Sequence, residues 1–223
     1  NRAWRPAVFL LHFLLFKLMF LSGIVKLTWG DRSWLDGTAL MLHYETQPLP
    51  HAVGWFAHHL PGWVHLISTW IMLFLEIGLP FAIFGGRRAR FVAFVGLVFL
   101  QLVILGTGNF TWFNHLTILL CIPLLCDGWW PRRVRERWIL RRESTMESGP
   151  GWLKIPLRSG RIAAWAVGGV LLFLSILTVI TGIAPTRPQS GFARFVERPI
   201  YQFVLGPIAP FRATSSYGLF RRM

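Results

Sequence analysis

Charged residues, acidic ones above all, and cysteines are scarce in this sequence. Only 14% of its 223 residues are charged, against about 25% in an ordinary soluble domain. Two cysteines are too few for the disulfide framework of a small secreted domain. Hydrophobic residues make up 54% of the chain, with 12 Trp and 19 Phe, and this composition excludes intrinsic disorder.

The charge that is present has mostly one sign. The chain has 23 Lys and Arg residues against 9 Asp and Glu, which gives a formal net charge of +14. A soluble nucleic-acid-binding protein would combine such a charge with a polar surface. The apolar composition therefore argues against binding of a nucleic acid, and we expect no nucleic-acid partner. We interpret the chain as a polytopic membrane protein whose basic residues lie at the membrane surfaces.

Five apolar stretches are candidates for membrane-spanning helices, which need roughly 20 apolar residues to cross a bilayer. They cover about residues 7–25, 62–84, 91–106, 111–126 and 162–183. The third and fourth are short and lie close together, which indicates a tight helical hairpin or a pair of re-entrant segments. The predicted fold is an all-α integral membrane protein with about five transmembrane helices and short amphipathic interfacial helices.

The basic residues of the loops predict the orientation of this bundle. Residues 1–184 would form the transmembrane bundle, with an outer loop at 26–61 and a basic inner loop at 127–161, and residues 185–223 an outer amphipathic segment. Most loop arginines then lie on the side of the N-terminus. We expect a cytoplasmic N-terminus and a periplasmic or lumenal C-terminus. The excess of arginine over lysine favours a bacterial inner membrane, with the endoplasmic reticulum membrane as the expectation for a eukaryotic source.

The inner loop contains a segment with helical periodicity. In Trp130–Ile139, apolar residues recur every four positions and arginines occupy the opposite face, which predicts an interfacial helix on the anionic leaflet. The arginines expected to bind lipid headgroups are Arg132, Arg133, Arg135 and Arg137. A solvated charged loop is the alternative.

Ionisable residues inside the spans are candidates for function because burying a charge in a bilayer is costly. Lys17 lies near the middle of the first predicted span and Glu76 past the middle of the second. In antiparallel helices these positions differ by about 6 Å along the axis, which a lysine side chain can reach. We predict a Lys17–Glu76 ion pair, serving either as a proton or substrate site or as a packing contact.

No pattern in the sequence predicts a catalytic, metal or cofactor site. The four histidines of the outer loop do not have the spacing of zinc ligands. Cys121 and Cys126 form no CxxC pair and are expected to be buried free thiols. The sequence has no phosphate-binding glycine loop, nucleophile elbow or dinucleotide fingerprint. We expect no catalytic residues, no metal and no cofactor, and we assign no enzyme activity.

Several blocks of the chain, in order and spacing, resemble the lipase maturation factor family. They are Gly23–Leu27, then Gly30, Asp31, Trp34 and Thr38–Leu40, the string HYETQPLP at 43–50, Glu76 with Leu79 and Pro80, Thr107–Asn114, and Ser216–Phe220. The residues that carry the outer-loop motif are His43, Tyr44, Glu45, Thr46, Gln47 and Pro48. Those that carry the hairpin motif are Gly108, Asn109, Phe110 and Asn114.

The resemblance implies a multi-span protein, and the characterised vertebrate members act in the endoplasmic reticulum in the folding of dimeric lipases. It also implies that a soluble β-rich domain follows the Ser216–Phe220 block. The chain stops there, begins at Asn1, and has Ser215 where the family pattern has Asn. We therefore expect a fragment of a longer protein, a bacterial-type member of the family.

Three functions are compatible with these observations. The first is a membrane-embedded factor that assists folding, maturation or assembly of exported proteins such as lipases. The second is a non-catalytic accessory subunit of a larger membrane complex. The third is a membrane enzyme acting on a lipid or quinone beside Lys17 and Glu76. The expected partners are membrane lipids and either an exported client protein or other membrane subunits.

Overall fold

The computed structural model describes residues 5–28, 31–47, 52–108, 110, 112–125, 157–183 and 199–208. Every regular element in these ranges is helical, which confirms the predicted all-α class. Three helices of the described part are long and apolar enough to cross a membrane: Ala7–Thr28, Gly62–Phe84 and Arg87–Thr107. Shorter apolar helices cover Trp112–Leu124 and Trp165–Thr181. The chain is therefore an integral membrane protein, and its number of crossings stays a prediction.

The first long helix packs against the second and is followed by three short helices. Helix α1 covers Arg5–Thr28 and extends beyond the predicted end of the first span. Three short helices follow it: α2 at Arg32–Leu35, α3 at Ala39–Thr46 and α4 at Ala52–His58. We call the end of the bundle that carries α2–α4 the loop end. Residues 26–28, predicted to begin the outer loop, belong to α1.

The second long helix changes its winding halfway along. It begins as α5 at Gly62–Leu73, continues as a π-helical turn at Phe74–Gly78 and ends as a 3-10 segment at Leu79–Phe84. The backbone N–H of Leu79 donates to the carbonyl of Phe74, five residues back. Pro80 lacks an N–H and would crowd the carbonyl four residues before it, so regular α-helical bonding is interrupted at this point.

The third long helix and the next one form the predicted hairpin. Helix α6 covers Arg87–Thr107, and α7 covers Trp112–Cys121, followed by a 3-10 turn at Ile122–Leu124. The two helices pack side by side, and their connection lies at the loop end, beside α4. The opposite end of the bundle carries Arg87, and we call it the arginine end.

Helix α8, at Leu157–Ile183, packs along α1. A π-helical turn at Ile200–Leu205 and a short helix α9 at Gly206–Ile208 follow. The predicted interfacial helix at Trp130–Ile139, with its four arginines, lies outside the described residues, as does most of 185–223.

The buried core lies among α1, the 3-10 segment, α6 and α7. Its members include Leu15, Met19, Ile83, Leu97 and Cys121. In a bilayer, burial of these side chains gains close packing rather than escape from water. Many other apolar side chains of the long helices are exposed at the bundle surface, for example Phe74 and Phe99. Such exposure indicates a surface that faces lipid.

Candidate functional site

Glu76 and Lys26 form an ion pair inside the bundle. Glu76 lies in the π-helical turn, and Lys26 lies in the last turn of α1. The ammonium of Lys26 donates to Oε2 of Glu76, and the two side chains are 5% and 6% exposed. Because both groups have left water, each charge depends on the other for its stabilisation.

The structure corrects the predicted Lys17–Glu76 pair, since the partner of Glu76 is Lys26. Helix α1 meets the π-helical turn at Gly23, where an added Cβ would lie 2.8 Å from the Cβ of Glu76. Gly23 is about 9 Å beyond Lys17 along the helix axis. Lys26, in contrast, is less than one turn beyond Gly23 and on the same face. Lys17 is also buried, but it lies at another level of the bundle.

Trp34 covers the ion pair from the outer loop. Oδ1 of Asp31 accepts a hydrogen bond from the backbone N–H of Ser33 at 3.0 Å, which caps the N-terminus of α2. Trp34 is 1% exposed, and the Lys26 ammonium lies 5.0 Å from the centroid of its ring. At this distance a cation–π attraction adds to the stabilisation of the Lys26 charge.

The outer-loop motif packs against the hairpin through aromatic rings. His43 of α3 stacks on Phe110, with centroids 5.8 Å apart and planes inclined by 27°. The ring of Tyr44 lies 5.8 Å from that of His65 at the start of α5. Burial lowers the pKa of His43 below its ordinary value, and the positive charge of Lys26 lowers it further. The neutral imidazole is therefore the favoured form at this site.

Gln47 joins the end of α3 to two neighbouring elements. Its Nε2 would lie 2.7 Å from a Cβ added at Gly54 of α4, and its Oε1 would lie 3.2 Å from one added at Gly108. A side chain at either glycine would therefore displace the Gln47 amide. Its Oε1 is buried without a hydrogen-bond partner among the described residues. The outer-loop motif and the hairpin motif, distant in sequence, thus meet at Gln47.

Other motif residues lie outside this contact. The side chain of Glu45 is 59% exposed, and its Oε1 is 3.8 Å from Nε2 of His58. The hydroxyl of Thr46 donates to a carbonyl of its own helix at 2.8 Å in an exposed position. Pro48 and Asn109 are not among the described residues.

Asn114 and Gln101 connect the two helices of the hairpin. Asn114 is 1% exposed, and its Nδ2 donates to the backbone carbonyl of Gln101 at 3.3 Å. The side-chain Nε2 of Gln101 lies 3.8 Å from the sulfur of Met19 in α1. The sequence patterns did not single out Gln101, and they placed Lys26 and Trp34 in the family blocks without predicting their contact with Glu76. An amide within an apolar stretch was the available signal for Gln101, and position within the Gly23–Leu27 block was the signal for Lys26.

A pocket of about 290 Å³ lies among these side chains at the loop end. Its walls come from α1, α2, α3, α5 with its π-helical turn, α6 and α7. The polar and aromatic residues that line it include Lys26, Trp34, His43, Tyr44, Glu76, Gln101, Phe110 and Asn114. The pocket therefore unites the ion pair with residues of the outer-loop and hairpin motifs, whereas Lys17 does not line it.

His12, His65 and Cys121 have packing positions, whereas His51 and Cys126 lie outside the described residues. Nε2 of His12 lies 3.1 Å from the backbone carbonyl of Pro123, and Nε2 of His65 lies 3.2 Å from that of His58. Cys121 is a buried free thiol. Within the described ranges, no three His, Cys, Asp or Glu side chains are grouped so that they could hold a metal ion.

Comparison with known proteins identifies the family. Residues 5–132, more than half of the chain, match the family model described as lipase maturation factor transmembrane domain. Lipase maturation factor 2 of Xenopus tropicalis is 49% identical over 53% of this chain and 17% of its own length. The Homo sapiens lipase maturation factor 2 is 48% identical over the same shares. Lipase maturation factor 1 of Bos taurus is 31% identical over 81% of this chain and 33% of its own length.

The matched part of the chain spans a third or less of the length of these relatives. No solved structure matches the chain. The ion pair, the outer-loop motif and the hairpin motif all fall within the matched residues 5–132. The chain belongs to the lipase maturation factor family.

Proposed function

We propose that this chain is the membrane-embedded part of a factor that assists the maturation of exported lipases. The observation that carries the proposal is the match of residues 5–132 to the family's transmembrane domain, together with relatives named lipase maturation factor 1 and 2. The pocket and both motifs lie within the matched region and at one end of the bundle. The loop end is therefore the part of the chain on which this function would depend.

The loop end has the physical properties of a surface that works at the membrane boundary. Helix α4 exposes Trp55 and Phe56, which are 59% and 67% exposed, and tryptophan favours the headgroup region. The Lys26–Glu76 pair, Trp34 and Gln47 hold α2–α4 against the long helices. A client polypeptide near the membrane would thus meet a supported aromatic surface instead of an unstructured loop.

The orientation and the compartment belong to the same proposal. We place the loop end on the periplasmic or lumenal side, because the basic residues of the N-terminus, of Arg87–Arg90 and of the 127–161 loop then share the cytoplasmic side. In this orientation Arg132, Arg133, Arg135 and Arg137 would bind anionic lipid headgroups. The membrane is a bacterial inner membrane, or that of the endoplasmic reticulum in a eukaryote.

The experiment uses the full-length protein in its own host. Deletion of the gene should lower the activity of an exported lipase per milligram of lipase severalfold, and the full gene should restore it. Gln47→Leu removes the amide that contacts α4 and the hairpin, so this variant should restore only a fraction. Leu102→Ala, at a side chain of α6 that is 55% exposed, is the control and should restore activity fully.

Both variants must first be present in the membrane fraction in equal amounts. Unchanged lipase activity per milligram in the deletion strain would contradict the proposed function. Co-purification with another membrane protein at fixed stoichiometry, without an effect on lipases, would instead support the accessory-subunit alternative.

A further inference from the structure

The lining of the loop-end pocket is mostly apolar and suits an apolar ligand. Aliphatic side chains such as Leu75 and Ile104 make up much of its lining, and its volume of about 290 Å³ lies near the lower end of the range for ligand sites. Three residues that border it, Ile71, Phe99 and Val103, are also 50%, 56% and 41% exposed at the bundle surface. The pocket therefore adjoins the lipid-facing surface between α5 and α6, from which a membrane-dissolved molecule can enter.

The charges within the pocket cancel each other. Lys26 and Glu76 carry opposite charges and are paired, and their side chains are almost fully buried. A charged ligand would have to compete with this pair and would itself lose its hydration. An uncharged ligand meets neither cost, so the ion pair selects for neutral molecules.

The polar groups of the pocket include donors that lack a strong acceptor. The indole N–H of Trp34 is buried without a hydrogen-bond partner among the described residues. The side-chain amide of Gln101, a residue that is 4% exposed, has its nitrogen beside the sulfur of Met19, and a thioether is a weak acceptor. A buried donor without an acceptor is unfavourable, and a carbonyl oxygen supplied by a ligand would satisfy it.

We propose that the pocket binds an uncharged, membrane-soluble molecule with an apolar body and a carbonyl group, which accepts hydrogen bonds from Trp34 and Gln101. This binding site goes beyond the proposed function. Two membrane sources supply that chemistry, the ester of a neutral acylglycerol and the ring of a quinone. The inference requires binding, and no reaction of the ligand is implied.

The experiment measures thermal unfolding of the purified full-length protein in detergent with added dioctanoylglycerol, decylubiquinone or dodecane. Ligand that binds only the folded state raises the unfolding temperature. We expect at least one of the two carbonyl compounds to raise it, and a response to one of them alone identifies the source. Dodecane has no carbonyl and should produce a smaller shift in the unfolding temperature. An equal shift with dodecane would overturn the proposed hydrogen bonds to a ligand carbonyl.

Two variants test the location of the site. Ser68→Phe places a ring in the pocket, which Ser68 lines, and should abolish the shift. The matched control is Ile67→Phe, at a neighbouring residue that is 48% exposed and should retain the shift. Gln101→Leu keeps the backbone carbonyl that binds Asn114 but removes the amide donor, so it should weaken binding roughly tenfold.

Gln101→Leu keeps the proposal testable should Ser68→Phe fail to fold. The absence of a shift with both carbonyl compounds in the wild type would overturn the proposal. Equal affinities of the wild type and Gln101→Leu would overturn it as well. Neither result depends on lipase activity, so failure here is distinguishable from failure of the proposed function.

Discussion

Lys26 and Glu76 carry opposite charges at a depth where water cannot solvate them. Burying either charge alone costs several kcal/mol, and the cost is offset only while both are present and in contact. The indole ring of Trp34 beside the Lys26 ammonium adds a further attraction. The pair therefore acts as a register contact between α1 and the π-helical turn, because sliding either helix by one turn would leave two unpaired charges in the bundle.

Replacing one partner should be more harmful than replacing both. We expect Lys26→Met and Glu76→Leu each to lower the free energy of unfolding by about 3–5 kcal/mol, because each leaves one buried charge unpaired. The double variant should lose less than the sum of the two. Thermal unfolding of the purified variants in detergent measures all three values.

Lys17→Met is the matched control, since Lys17 is a buried lysine of the same helix that does not pair with Glu76. It should lower stability less than Lys26→Met. Strictly additive losses in the double variant would show that Lys26 and Glu76 are not coupled.

At the scale of elements, the second long helix determines where Glu76 points. Its π-helical turn, at Phe74–Gly78, inserts extra backbone before Pro80, which turns the following residues relative to a regular helix. Helix α1 approaches this turn closely at Gly23, where Ile77 and Glu76 leave no space for a side chain. The π-helical turn and the close approach of α1 at Gly23 together bring the Glu76 carboxylate within reach of the Lys26 ammonium.

Alanine should destabilise the bundle at Gly23 but not at Gly106. Gly23→Ala would place its Cβ 2.8 Å from that of Glu76, so α1 must shift, at a cost of about 1–3 kcal/mol. Gly106→Ala in α6 meets no atom within 4 Å and should be neutral or stabilising by up to about 1 kcal/mol, because alanine favours helix.

Chemical or thermal unfolding of both variants under identical conditions provides the comparison. A loss at Gly106 as large as that at Gly23 would indicate a general intolerance of glycine replacement, and the close approach at Gly23 would then not be the cause.

At the scale of the whole molecule, the bundle has two chemically different ends. The loop end carries α2–α4, the pocket and exposed aromatic residues such as Trp55, and the arginine end carries Arg87 and Arg88 at the start of α6. This polarity is what the distribution of basic residues predicts for a protein inserted in one orientation.

Labelling of single cysteines should test that orientation. In a variant without the native cysteines, Asp36→Cys is at the loop end and Arg88→Cys at the arginine end, and both residues are exposed. A membrane-impermeant maleimide added to sealed bacterial spheroplasts should label Asp36→Cys alone, and added to sealed microsomes, which expose their cytoplasmic side, it should label Arg88→Cys alone. After the membrane is permeabilised, both should be labelled.

The permeabilised sample is the control for reactivity. Labelling of Arg88→Cys, and not of Asp36→Cys, in sealed spheroplasts would reverse the proposed orientation without affecting the fold or the pocket.

The sequence by itself determined the membrane class, the helical fold and the approximate positions of the long helices, because hydropathy and helical length are local properties of the chain. It also singled out Glu76, since an ionisable residue in an apolar stretch is conspicuous, and HYETQPLP, which indicated the family. Only the tertiary structure decided that Lys26 is the partner of Glu76, and that His43, Tyr44 and Phe110 line one pocket with Trp34 and Gln101. These contacts depend on the axial register and rotation of packed helices, which are set by the close approach at Gly23 and the π-helical turn before Pro80, and no local pattern encodes them.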